Sequence, residues 1–216
     1  MISTQDLSRL PAIGELKRLT QSLAMLDAII QPAWDLRCHA FDRAWADGAQ
    51  LAWMRNGGGD EWFCGFGEAG ALLKGFDHES KMSPWRSHPP TVWPGVIDNV
   101  PVALRHFLDN PDFSLDDTTF CIWREVSDAT WQRGAMEVPP GDDPDGSAYL
   151  LQMLDGRPET YLNWSEEYYE RKLDLSAVQW IYRHNPLTLD IARAINAEID
   201  PADLREDAES IGYPVD

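Results

Sequence analysis

The chain has 216 residues, with 36 acidic against 18 basic side chains, a formal net charge of −18, 44% apolar residues and ten tryptophans. That length and aromatic content indicate one packed domain over residues 1–216, able to bury its core without disulfides or a structural metal, and they exclude a disordered acidic chain. The charge disfavours nucleic acid and anionic membrane surfaces, which would repel it, and favours a basic protein partner; the plainer use of acidity is solubility.

Residues 12–30 place Ile13, Leu16, Leu19, Leu23, Leu26 and Ile30 at spacings of three and four, the pattern of an amphipathic helix. Gln31-Pro32 ends it, because the residue before proline is pushed out of the α region. Trp34, Leu36, Cys38 and Ala40 then alternate with polar residues and predict a strand that closes at an Asp47-Gly48 turn. Asn56, Gly57, Gly58, Gly59 and Asp60 supply the positive φ angles and side-chain bonds of a tight reversal, and Gly67-Glu68-Ala69-Gly70 repeats the signal. Strands over 49–55, 61–66 and 71–77 follow, giving a four-stranded antiparallel meander with the strand before them.

Residues 78–99 carry Pro84, Pro89, Pro90 and Pro94 and show no period; long irregular segments of this kind are often functional. Residues 100–110 read as a short helix with Val100, Leu104, Phe107 and Leu108 inward, stopped by Pro111. The β-branched and aromatic run at 118–126 predicts a later strand that can pair with the meander. Residues 127–147 read as an acidic loop. Helices are expected over 147–155, 158–173, 177–184, 189–198 and 202–210, with a capping box at Ser176 and Gln179, a Thr188 cap, and Asp200 before Pro201. The fold class is therefore α+β: an antiparallel meander of five or six strands covered by helices, with a helical C-terminal third laid on one face through Tyr161, Trp164, Tyr168, Val178, Ile181 and Ile195.

Cys38, Cys64 and Cys121 are odd in number, lack CxxC spacing and sit in apolar contexts, which points to buried thiols in a reducing, cytoplasmic setting. No run of about 18 apolar residues and no basic-apolar leader is present, so no membrane association is expected.

Chemistry-bearing residues gather in four places. Asp77-His78-Glu79-Ser80 ends the meander, and with Asp60 and Glu61 it offers a candidate catalytic or metal-dependent set, although no HExxH-type spacing supports a metal and a capping role is the plainer reading. Trp85, Arg86, His88 and Trp93 in the long loop, with Arg55 and Arg124 on strands, are candidate contact residues, since aromatics and arginines give large buried area and planar hydrogen bonding; loop packing is the alternative. Asp142-Asp143-Pro144-Asp145-Gly146-Ser147 resembles part of a calcium loop but lacks the later acidic ligand of that pattern, so a helix-capping turn is favoured. His184 sits at a helix end, where an imidazolium would meet the negative end of the helix dipole. P-loop, GxSxG and CxxC patterns are absent, and no cofactor is expected.

The strings RNGGGDE (55–61), GFDHES (75–80) followed by MSPW (82–85), WPGV (93–96), CIWR (121–124), DPDGS (143–147) and YRHNPLT (182–188) together resemble a group of uncharacterised, mostly bacterial proteins, over Trp34 to the end. That resemblance implies no activity and no catalytic residue. In composition the chain also resembles bacterial immunity proteins that neutralise toxins. The expectation is an acidic cytoplasmic protein-binding protein, of immunity or adaptor type, that covers a basic partner with its loop face. The alternative is a metal-dependent or acid/base hydrolase using Asp77, His78 and Glu79 with Asp60 and Glu61.

Overall fold

The structure is a computed structural model that describes residues 1–46 and 48–216; the aspartate of the expected Asp47-Gly48 turn lies outside the described residues. It shows an α+β fold built on one six-stranded antiparallel sheet whose strands lie side by side in chain order. The strands are β1 (His39–Ala46), β2 (Ala49–Arg55), β3 (Glu61–Gly67), β4 (Gly70–Phe76), β5 (Phe120–Glu125) and β6 (Gln132–Arg133). Sequence order is the economical solution here, because tight turns join the first four strands and adjacent antiparallel strands need no crossover.

Several expected boundaries shift: the helix expected over 100–110 is a 3-10 turn followed by the short Arg105–Leu108 helix, that over 147–155 breaks into Ser147–Leu150 and a 3-10 turn, and those over 158–173 and 189–198 end at Tyr168 and Ile195. Trp34–Leu36 form a 3-10 turn in which Trp34 and Leu36 are exposed, and the strand begins at His39. The residues alternated in sequence, but their apolar side chains find no face to cover. The short β6, inside the segment read as an acidic loop, pairs with β5 through Ile122–Arg133 and Trp123–Gln132.

Both faces of the sheet are buried, so its strands read as near-continuous apolar runs. One face presents Ala52, Met54, Trp62, Cys64, Phe66, Leu73, Phe120 and Ile122 to α1 (Ile13–Ile30) and the C-terminal helices. The other presents Leu51, Phe63, Leu72, Cys121 and Trp123 to Met82, Val96, Leu104, Phe107 and Phe113. The long proline-bearing segment and the short α2 (Arg105–Leu108) thus form a second covering layer in place of a helical one.

The C-terminal elements are α3 (Ser147–Leu150), α4 (Pro158–Tyr168), α5 (Leu175–Tyr182), α6 (Leu189–Ile195) and α7 (Pro201–Ile211). Three caps are visible in their side-chain bonds: Asp174 accepts from Ser176 N and Ala177 N, Thr188 from Ile191 N, and Asp200 from Ala202 N. Asp174 therefore takes the role that the sequence pattern assigned to Ser176. These helices close around α1, which lies against β1, so α1 is not simply amphipathic: from Leu19 to Ile30 every residue is buried. Its polar residues are satisfied by partners far along the chain, Gln21 Nε2 donating to Ile211 O (2.9 Å) and Ser22 Oγ to Ile181 O (2.8 Å), as burial requires.

At the centre of that layer Asp27 is fully buried and takes three bonds, from His39 N (2.6 Å), His39 Nδ1 (3.1 Å) and Tyr161 OH (2.5 Å). One carboxylate thereby ties α1, β1 and α4 together. Among the described residues no helix is long and apolar enough to cross a membrane.

Candidate functional site

The antiparallel register pairs Glu61 with Phe76 at the end of the β3–β4 ladder, and Asp60 and Asp77 lie just beyond that last pair. Asp60 closes the reversal: Asn56 Nδ2 donates to Asp60 Oδ2 (2.7 Å), and Asn56 Oδ1 accepts from Gly58 N and Asp60 N. His78, just past β4, turns back so that its backbone nitrogen and its Nδ1 both reach Asp60 Oδ1, at 3.1 and 2.6 Å. Gly59 sits at φ +107°, a conformation that glycine tolerates, and a Cβ added there would stand 3.5 Å from His78 Nδ1.

The electrostatics follow from these contacts. The hydrogen bond to Asp60, helped by the charges of Asp60, Glu79 and Asp77, raises the His78 pKa against the opposing effect of desolvation. Burial works to raise the Asp60 pKa, but the bonds from His78 and Asn56 outweigh it and leave it lowered. Asp77 moves the other way, raised by burial and by its acidic neighbours Asp60 and Asp143, even though Glu79 N and Ser80 N bond to it. His78 remains half-exposed, with Nε2 4.0 Å from the solvated Glu79 carboxylate.

Of the five expected acid/base or metal residues, the structure brings together Asp60, Asp77 and His78, and holds Glu79 at the rim. It does not bring Glu61, whose side chain points the other way along β3. Glu61 accepts from Arg55 Nε and Lys74 Nζ, each at 3.2 Å. Lys74 is fully buried, donates also to Asp117 O (2.6 Å) and Ser114 O (3.2 Å), and lies over the Phe63 ring; burial lowers its pKa against the pull of Glu61. Glu61 and Lys74 are a structural pair.

The acidic loop joins the site. Ser80 Oγ donates to Pro144 O (2.8 Å) and Lys81 Nζ to Pro140 O (2.7 Å), and Asp77, Glu79, Ser80, Lys81, Asp142 and Asp143 line a common open cleft of about 410 Å³. Asp143 accepts from Ala148 N and Tyr149 N at the start of α3, and the buried Asp145 accepts from Ser147 and from Thr4 Oγ1. This is the helix-capping turn expected from the sequence.

The loop residues divide. Trp85 is 62% exposed, with Nε1 donating to Asp117 Oδ1 (2.7 Å). Arg86 is turned onto the backbone carbonyls of Glu79 and Ser80, and Arg124 onto that of Asp128. Trp93 is half-buried against the second core and donates to Glu137 O (3.0 Å), while His88 is exposed beside a cis bond to Pro89. Arg55 keeps to Glu61 and the Phe63 ring.

Two aromatic residues reach this site against expectation: the sequence does not single out Tyr149, and it marks Tyr168 as a packing residue of the helical layer. Tyr149 approaches Asn56 Nδ2 at 3.5 Å, and Tyr168 donates to Asn56 O at 3.2 Å while stacking on Trp164. Both are partly exposed. Tyr168 has the helical spacing of a core residue, and only the closure of α4 over the β2–β3 turn brings it here.

The expected imidazolium at His184 is corrected by the structure. The residue sits at φ +57° with Nδ1 3.3 Å from Ser22 Oγ and its ring edge-on to Tyr213, and burial together with the Arg18 charge lowers its pKa. All three cysteines are buried and unpaired; desolvation pushes the Cys121 thiol up to about 12 and the other two higher still, which removes them as nucleophiles at neutral pH.

No protein-family model, curated protein or solved structure matches the chain.

Proposed function

We propose that the chain is a protein-binding protein, of immunity or adaptor type, whose acidic loop face covers a basic partner. The observation that carries this reading is the fate of the basic side chains on that face. Arg55, Arg86, Arg124, Lys74 and Lys81 are all directed onto internal carboxylate or carbonyl oxygens, while Glu79 and Asp142 are exposed. The donors of these cations are thereby engaged within the chain, whose net charge is −18. The exposed Trp85 ring is held by Asp117, which lowers the entropy lost on burying it in an interface. Complementary charge then steers encounter, and the aromatic anchor supplies specificity.

The test is capture of partners from native lysate, followed by titration of the identified, purified partner at two salt concentrations with wild type and Trp85→Ala. Affinity that falls with salt and drops at least tenfold in Trp85→Ala supports the reading. A partner whose affinity ignores both changes overturns it.

The second reading, a metal-dependent or acid/base hydrolase, is favoured by one observation, the convergence of Asp60, Asp77 and His78, of which Asp77 also lines the open cleft. Turnover of an ester, phosphodiester or peptide substrate that is lost in His78→Ala would replace the first reading with this one.

A further inference from the structure

We propose that Asp60, Asp77 and His78 form a binding site for one divalent transition-metal ion of the Zn²⁺, Co²⁺ or Mn²⁺ type. This stands independently of partner binding and requires no catalytic activity.

The first support is geometric. One ligand atom from each of the three residues lies within 4.8 Å of the others, and the three come from adjacent, hydrogen-bonded strand ends. A metal about 2.1 Å from each atom draws donors to roughly 3–3.5 Å apart, so the set closes on an ion with side-chain adjustments of about 1 Å.

The second support is energetic and does not depend on the cluster's shape. Asp60 and Asp77 lie just beyond Glu61 and Phe76, the last pair of the β3–β4 ladder, so two like charges meet at one end of the sheet, an unfavourable placement. Asp60 has His78 beside it. Asp77 is partly buried with no cationic side chain within ion-pair distance among the described residues, and its neighbours Asp60 and Asp143 add to the repulsion. A bound cation would relieve that repulsion.

The third support is orientation. Asn56 Nδ2 bonds the second oxygen of Asp60, and the backbone nitrogens of Glu79 and Ser80 hold one oxygen of Asp77. Such outer bonds fix metal ligands in place. Gly146, at φ +75°, leaves the space that Asp77 fills: a Cβ there would stand 2.3 Å from Asp77 Cβ.

The donor set chooses the metal class. Two carboxylates with one imidazole suit borderline divalent ions and match neither the all-oxygen shell of Ca²⁺ nor the thiolate preference of Cu⁺.

The test uses the full chain after chelator treatment and gel filtration. Co²⁺ titration is followed by its visible absorption, with Zn²⁺ and Mn²⁺ in competition, in wild type, His78→Ala, Asp77→Asn and Glu68→Gln, the last at the opposite end of the β3–β4 hairpin. Circular dichroism confirms that each variant is folded. The expected result is one Co²⁺ per chain, affinity lowered at least tenfold in His78→Ala and in Asp77→Asn, and no change in Glu68→Gln. Absent Co²⁺ absorption in the wild type, or equal binding by wild type and folded His78→Ala, overturns the proposal, because the ion is then held by exposed carboxylates alone.

Discussion

Asp60 Oδ1 accepts from both the backbone nitrogen and the Nδ1 of His78, so a single carboxylate oxygen sets the direction of the chain after β4 and the orientation of the imidazole. That double contact makes the His78 pKa a reporter of Asp60. In metal-free protein, Asp60→Asn removes the charge that favours the imidazolium, and His78 then titrates at lower pH than in the wild type. Histidine ring resonances followed by NMR across pH 5–9 check this; an unshifted midpoint would show that the pair does not persist in solution.

The two perturbed histidines give pH dependences of opposite sign. His78 has a raised pKa, so its contribution to stability is complete below the unfolded value of about 6.5 and is lost as pH rises through the folded value. His184 has a lowered pKa, so its contribution is complete above about pH 6.5 and is lost as pH falls through the folded value. Urea unfolding at pH 7.5, 6.5 and 5.5 separates them: His184→Asn, which keeps a residue tolerant of positive φ, loses less stability on acidification than the wild type does.

Asp27 is the most heavily bonded buried carboxylate of the helical layer, so its removal costs more than removal of any one donor. Asp27→Ala leaves His39 and Tyr161 without their acceptor and should destabilise by about 3–5 kcal/mol. Tyr161→Phe deletes one hydroxyl and should cost about 1–2 kcal/mol. The double variant, measured by chemical denaturation, should fall well short of the sum, because both changes break the same bond.

At the Lys74–Glu61 pair the asymmetry runs between the partners. Glu61→Leu strands a fully buried ammonium with only carbonyl acceptors and should cost about 3 kcal/mol or more. Lys74→Met leaves Glu61 with Arg55 and should cost less. Comparable losses in the two variants would mean that Arg55 does not compensate Glu61.

Gly146→Ala tests the contact between the acidic loop and the strand tip. The added methyl would enter the space of Asp77 at a positive φ, so a loss above about 1 kcal/mol is expected. Gly156→Ala, which meets open space at a similar φ of +73°, isolates the backbone share of that cost, and the difference between the two melting shifts reports the Asp77 contact.

The sequence by itself determined the meander, because turn chemistry is local: Asn56 to Asp60 and Gly67 to Gly70 set the reversals, and strands of apolar and aromatic residues between them have only their neighbours to pair with. It also determined the long first helix, the strand at Phe120 and the caps at Thr188 and Asp200, all of which rest on short-range spacing. Tertiary structure decided what burial means at each position. Spacing in α1 marked one apolar face, but only the closure of α5, α6 and α7 around the helix explains why Thr20, Gln21, Ser22 and Asp27 are buried too. The site divided in the same way. Asp60, Asp77 and His78 were legible as chemistry, and a strand's alternation could have separated Glu61 from Asp60. The arrival of Asp143, Tyr149 and Tyr168 at the same end of the sheet was not legible, because those contacts join residues roughly sixty-five or more positions apart, and local pattern carries no information about which distant surfaces pack together.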